Sequence, residues 1–97
     1  MVWTLDALRE KREEIIEIAA RHGALKIRVF GSVARGDVSS DSDVDFLVAF
    51  EDGRSLFDLG GFIADVEELL QCKVDVVSER GLRPRFKDRV LQEAVSL

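Results

Sequence analysis

Gly31-Ser32 is followed, after ten intervening residues, by Asp43-Val44-Asp45. Side chains alternate along a strand, so Asp43 and Asp45 are expected on one face where a strand leaves a loop. Two carboxylates that close repel each other, and one takes up a proton unless a cation intervenes. Mg²⁺ suits such a pair, because it prefers a few hard carboxylates and completes its shell with water and substrate phosphates. A helix that starts on a glycine offers free N–H groups and partial positive charge to a phosphate, and Ser32 adds a hydroxyl. Arg35, one turn on, carries the forked guanidinium that pairs with phosphate oxygens. Asp75 stands alone among apolar neighbours and is placed to add a third acid from an adjacent strand. That would turn one shared ion into a two-metal site, which activates an attacking hydroxyl, steadies the transferring phosphorus and neutralises leaving pyrophosphate. Together these residues suggest a site where divalent cations and a nucleoside triphosphate meet.

Other readings of these residues are weaker. Gly31 and Gly36 have P-loop spacing, but Asp37 stands where the lysine belongs. Asp41-x-Asp43-x-Asp45 imitates the start of an EF-hand, yet Phe46 replaces its glycine and Asp52 its final glutamate. A phosphatase-type aspartate pair would follow its strand, whereas here the pair begins it. Taken singly, Asp43 and Asp45 read as exposed acids at a strand end, Gly31 as a turn glycine and Asp75 as an edge acid facing water. The alternative for Arg35 is an ion pair with Asp37 or Asp41. Asp37 and Asp41 themselves read as turn and capping residues.

The elements that must position these groups follow from periodicity. Thr4 can cap a helix running to about His22, with Asp6 in its first turn and Leu5, Leu8, Ile15, Ile18 and Ala19 at helical spacing. His22 then sits where it favours the helix dipole. Lys26–Phe30 alternates as a strand, and Gly31–Gly36 turns into a short helix. Asp43–Phe50 is a second strand. Ser55–Leu70 is the clearest helix, with Leu56, Leu59, Ile63, Val66 and Leu70 as its expected buried stripe. Gly60-Gly61 inside it costs about 1 kcal/mol per glycine relative to alanine, which suggests that a backbone or ligand comes close. Lys73–Val77 is a third strand, and a last helix starts near Pro84 and passes through Val90, Leu91 and Ala94. Trp3, Phe57 and Phe62 read as core or interface. The order is α-β-α-β-α-β-α: an α/β fold with a small sheet flanked by helices.

Ninety-seven residues suit one domain, 1–97, with a single core. The net charge is −5 and the pI about 4.8. An acidic chain without a basic stripe is poorly suited to grip a nucleic-acid backbone directly. No apolar run approaches the roughly 20 residues of a membrane span. Met1-Val2-Trp3-Thr4 lacks the features of a secretory leader. Cys72, the single cysteine, excludes an internal disulfide or a thiolate cluster. The expected location is cytoplasmic. Arg80, Arg83, Arg85, Lys87 and Arg89 form a basic run that is either a solvated face or a dock for an acidic partner.

GSVARGDVSSDSDVDFLV, residues 31–48, resembles the signature of nucleotidyltransferases of the DNA polymerase β superfamily. The closest likeness is to the minimal nucleotidyltransferase (MNT) group. VDVVSE, residues 74–79, is similar to the group's third-acid strand, and LRPRFKDRVLQEAVSL to its C-terminal helix. The resemblance implies a polymerase β-type core with a mixed sheet. It implies transfer of AMP or another NMP from an NTP such as ATP to a hydroxyl, with two Mg²⁺ ions. Gly31 and Ser32 would hold the triphosphate, Arg35 a phosphate oxygen, and Asp43 and Asp45 both metals. Asp75 would bind one metal and help deprotonate the acceptor. The resemblance further implies an antitoxin whose partner is a HEPN-domain toxin, modified on a tyrosine, in a homo- or hetero-oligomer. The alternative is a binding module that neutralises its partner by occlusion alone.

Overall fold

A computed structural model describes residues 2–37 and 43–97; Asp41 lies outside that range. Thr4 caps the first helix by accepting a hydrogen bond from the Ala7 N–H at 3.1 Å. The single helix expected from Thr4 to His22 is two: α1, Leu5–Glu10, and α2, Arg12–Arg21. They meet at Lys11, whose N–H reaches Leu8 O in a tighter turn (3.0 Å). The apolar stripe explains the break. Leu8 and Ile15 are fully buried, but the positions three and four after Leu8 are the charged Lys11 and Arg12. No apolar contact there holds one continuous helix against the core.

Strand β1, Ala24–Phe30, leads directly into the short helix α3, Gly31–Arg35. β2, Val44–Phe50, pairs antiparallel with β1, and β3, Val74–Ser78, pairs parallel with β2. Between them runs α4, Leu56–Leu70, opened by a reciprocal capping box of Ser55 and Asp58. A short 3₁₀ turn, Glu79–Gly81, precedes α5, Pro84–Glu93, which starts on its proline as expected. One element was not foreseen: β4, Val95–Ser96, pairs antiparallel with Arg28 and Val29 of β1. The sheet order is β3-β2-β1-β4. The result is a four-stranded mixed sheet flanked by helices, the architecture the motif implied.

Helices α2 and α4 pack together against one face of this sheet. Ile15, Ile18 and Ala19 from α2 meet Phe62, Val66 and Leu70 from α4 over Val29, Val44, Phe46, Val48 and Val74. Phe62 sets its ring edge-on to both Phe46 and Phe50, with centroids 6.4 and 6.3 Å away. Trp3 closes the bottom of α4 by donating its indole N–H to Leu70 O at 3.0 Å. The buried face of α4 is therefore Phe62, Val66 and Leu70, with Leu59 and Ile63 half-buried beside it. Leu56 was expected in that stripe and is instead 82% exposed. Phe57, 91% exposed, stands two and a half turns before Val66 and so points away from the core. Phe57 is no core residue, whereas Trp3 and Phe62 are.

Candidate active site

Strand alternation divides β2. Val44, Phe46 and Val48 enter the helix-covered core, which leaves Asp45 on the other face. Asp45 lies opposite Phe30 on β1 and in register with Asp75 on β3. Adjacent strands run about 4.8 Å apart. The sheet thus places the two aspartates side by side, from strands separated in sequence by the whole of α4. Asp43 precedes the strand by one residue and is half-buried, and Asp75 is exposed.

Gly31 fits against this row. Its φ is +75°, a conformation that favours glycine, and a Cβ there would stand 2.2 Å from Asp45 Oδ2. The turn out of β1 is therefore in direct contact with the carboxylate on β2. Ser32 follows as the second residue of α3, half-buried, and its carbonyl accepts from Asp37 N–H at 2.8 Å.

The electrostatics of Asp45 record this placement. Its carboxyl is pushed up from 3.8 to about 6, first by burial, then by the charges of Asp75, Asp43 and Glu93, with Arg35 opposing. Partial desolvation and three like charges favour a proton or a cation at that oxygen. Among the described residues no three His, Cys, Asp or Glu side chains are gathered tightly enough to hold a metal as they stand. The donors nonetheless fit a divalent cation: hard carboxylate oxygens on adjoining positions, the one on Asp45 destabilised as an anion by burial and by its acidic neighbours.

Arg35 occupies the last turn of α3 and pairs with Glu93 at the end of α5. That partner was not among those expected, because Glu93 lies 58 residues away in the chain. Nothing in local spacing could have revealed it. Glu93 is also the acid near Asp45 that sequence reasoning missed. The clefts of about 370 and 270 Å³ lined by Phe50, Leu56 and Arg80, and by Ile16, Leu25 and Leu97, include none of the predicted site residues. Elsewhere, what approaches Gly61 is neither backbone nor ligand but the His22 ring, and Gly60 faces open space. The His22 Nε2 meets Asp65 Oδ2 at 2.7 Å, so His22 bridges α2 and α4 instead of serving only the helix dipole.

Comparison with known proteins bears on this arrangement. A family model described as "Nucleotidyltransferase domain" matches residues 8–97. A Methanocaldococcus jannaschii protein provisionally named as a protein adenylyltransferase is 40% identical over 93% of this chain and 97% of its own length. The protein adenylyltransferase MntA of Thermococcus cleftensis is 40% identical over 81% of this chain and 80% of its own. Among solved structures, one described as a candidate minimal nucleotidyltransferase superposes with a TM-score of 0.88 at 53% identity. It covers 98% of this chain and 97% of its own. A chain of a complex between tri-AMPylated Shewanella oneidensis HEPN toxin and MNT antitoxin shares the fold at 18% identity. Its TM-score is 0.69, with coverage of 91% of this chain and 69% of that one.

Proposed function

The chain belongs to the nucleotidyltransferase domain family, and from that premise we propose that it moves AMP from ATP to a tyrosine hydroxyl of a HEPN-domain partner, acting as that partner's antitoxin. The observation that carries this reading is the contact of Gly31 with Asp45 beside Asp75, which joins the phosphate turn to the acidic row. The name of the Thermococcus cleftensis relative supports protein as the acceptor and AMP as the group moved. The Shewanella oneidensis complex, a HEPN toxin carrying AMP beside an MNT antitoxin, supports the partner.

In this reading Gly31 and Ser32 seat the triphosphate at the start of α3, where N–H groups face the phosphates. Asp43 and Asp45 would hold two Mg²⁺ ions, and Asp75 would help hold one of them. When bound, the ions supply Lewis-acid neutralisation of the phosphates and acidify the acceptor hydroxyl. Asp75 takes the acceptor proton, the acceptor oxygen forms its bond to the α-phosphorus, and the bond to pyrophosphate breaks. The catalytic unit is the single domain 1–97, working in the cytoplasm where ATP is supplied, with no direct nucleic-acid contact and in an oligomer with its partner.

Intact-mass measurement of the HEPN partner, after incubation with this chain, ATP and Mg²⁺, tests the proposal. One or more AMP increments are expected with the wild type, falling by about a thousandfold in rate with Asp45→Asn. An unmodified partner held in a stable, neutralised complex would replace catalysis with occlusion.

A further inference from the structure

Arg35 and Glu93 close the one ion pair that joins α3 to α5 among the described residues. Arg35 is the last residue of the helix that begins at Gly31, against Asp45. Glu93 is the last residue of α5, a helix with no fully buried side chain. The guanidinium side chain is 51% exposed and the carboxylate 22%. Arg35 also borders a cleft of about 270 Å³ with Thr4, Asp6 and Val33.

We infer that Glu93 is a positioning residue that holds Arg35 in reserve beside the acidic row, and that an incoming nucleoside triphosphate draws the guanidinium off Glu93 onto its own phosphates. The inference rests on the nucleotidyl-transfer reading of the site. An exposed arginine–carboxylate pair contributes little stability, between nothing and about 1 kcal/mol. A triphosphate presents several negative oxygens, and a forked guanidinium–phosphate pair is stronger than a screened surface pair. The exchange therefore runs toward the nucleotide. Both side chains lie within the field of the Asp45 carboxyl, Arg35 as the cation and Glu93 as an opposing anion. Glu93 thereby competes with the nucleotide for Arg35 and lowers its affinity by the strength of the pair, up to about fivefold.

The test is equilibrium binding of a non-hydrolysable ATP analogue, with Mg²⁺, to the wild type, Glu93→Gln, Arg35→Met and the double variant, each also melted thermally. Glu93→Gln should bind about two- to fivefold more tightly, the size of the surface pair it removes. That gain should disappear in the Arg35→Met background and shrink as salt rises. A purely structural pair predicts the opposite sign, with weaker binding and a lower melting temperature. Unchanged or weaker binding by Glu93→Gln overturns the inference. Should that variant fail to fold, wild-type affinity in Arg35→Met overturns it equally. A wild type that binds no analogue at all removes the nucleotide reading itself, and this inference with it.

Discussion

Gly31 and Gly61 each make room for a polar side chain from another element. Gly31 admits the Asp45 carboxylate from β2, and Gly61 admits the His22 imidazole from the end of α2. The two corners differ in what surrounds the admitted group. At Gly61 the admitted ring has a partner: His22 Nε2 meets Asp65 Oδ2 at 2.7 Å, and that hydrogen bond holds the Asp65 carboxyl below its usual range. At Gly31 the charge is unbalanced. Asp45 lies in the field of Asp75, Asp43 and Glu93, while Arg35, the one cation opposing them among the described residues, is engaged by Glu93. A close approach that satisfies its partners stabilises a fold. One that leaves like charges together costs stability, a cost that a proton or a cation at the carboxylate offsets.

The largest expected effect breaks the Gly31 corner. Alanine there must hold φ +75° and displace Asp45 Oδ2. Transfer to the partner should fall by at least about a hundredfold, the usual consequence of a misplacement near 1 Å at a reacting centre. Stability should drop by roughly 1–2 kcal/mol from the backbone alone. Near-wild-type turnover by Gly31→Ala would show that the contact is incidental.

Protonation separates the corners at intermediate size. Asp45 titrates near 6 in the folded chain against 3.8 unfolded, so between those values the native state binds the extra proton. Stability should therefore rise as pH falls from about 6 toward 4, by on the order of 1 kcal/mol once solvent screening is allowed for. Asp45→Asn should lack the rise, and millimolar Mg²⁺ should flatten it in the wild type by favouring the ionised form. Asp65 runs the other way. Its lowered pKa contributes stability above 3.8 that is lost in stronger acid. Urea unfolding across pH, with and without Mg²⁺, reads both.

The smallest effect sharpens the Gly61 side. Gly60 faces open space, so Gly60→Ala should stabilise α4 by about 0.5–1 kcal/mol. Gly61→Ala would bring a Cβ to 2.6 Å from His22 Cε1. The ring must swing off Asp65, so the helix gain should be offset or reversed. Equal gains in the two variants, measured by chemical denaturation, would show that the His22–Asp65 bridge contributes nothing.

Local pattern was enough to read much of this molecule. Periodicity located α4, α5 and the first three strands, and it covered α1 and α2 as one longer helix. The Gly31 turn and its aspartate pair were legible because their spacing is a short-range property of one strand–turn–helix–strand unit. Reading stopped where a choice depends on what lies across space. The stripe on α4 could be drawn through Leu56 or through Phe62, and only the position of β2 and α2 selects Phe62. The interruption at Lys11 and Arg12 is visible in hindsight as a gap in the apolar stripe, but charged residues in a helix do not by themselves break it. β4 is two residues long and exists only because β1 offers Arg28 and Val29 as an edge.

The sequence by itself determined the chemical inventory: two acids two residues apart where a strand begins, a glycine able to turn and a short helix that starts on it. These follow from backbone periods and residue chemistry, which act over a few residues. The tertiary structure alone decided that Asp75 stands in register with Asp45, that Gly31 touches that carboxylate, and that Glu93 holds Arg35. Those relations join segments separated by up to 58 residues, and no local interaction favours them. They are decided by burial: packing α2 and α4 onto one face of the sheet sets the strand register. The acids on the opposite face are then carried into one another's fields as a consequence.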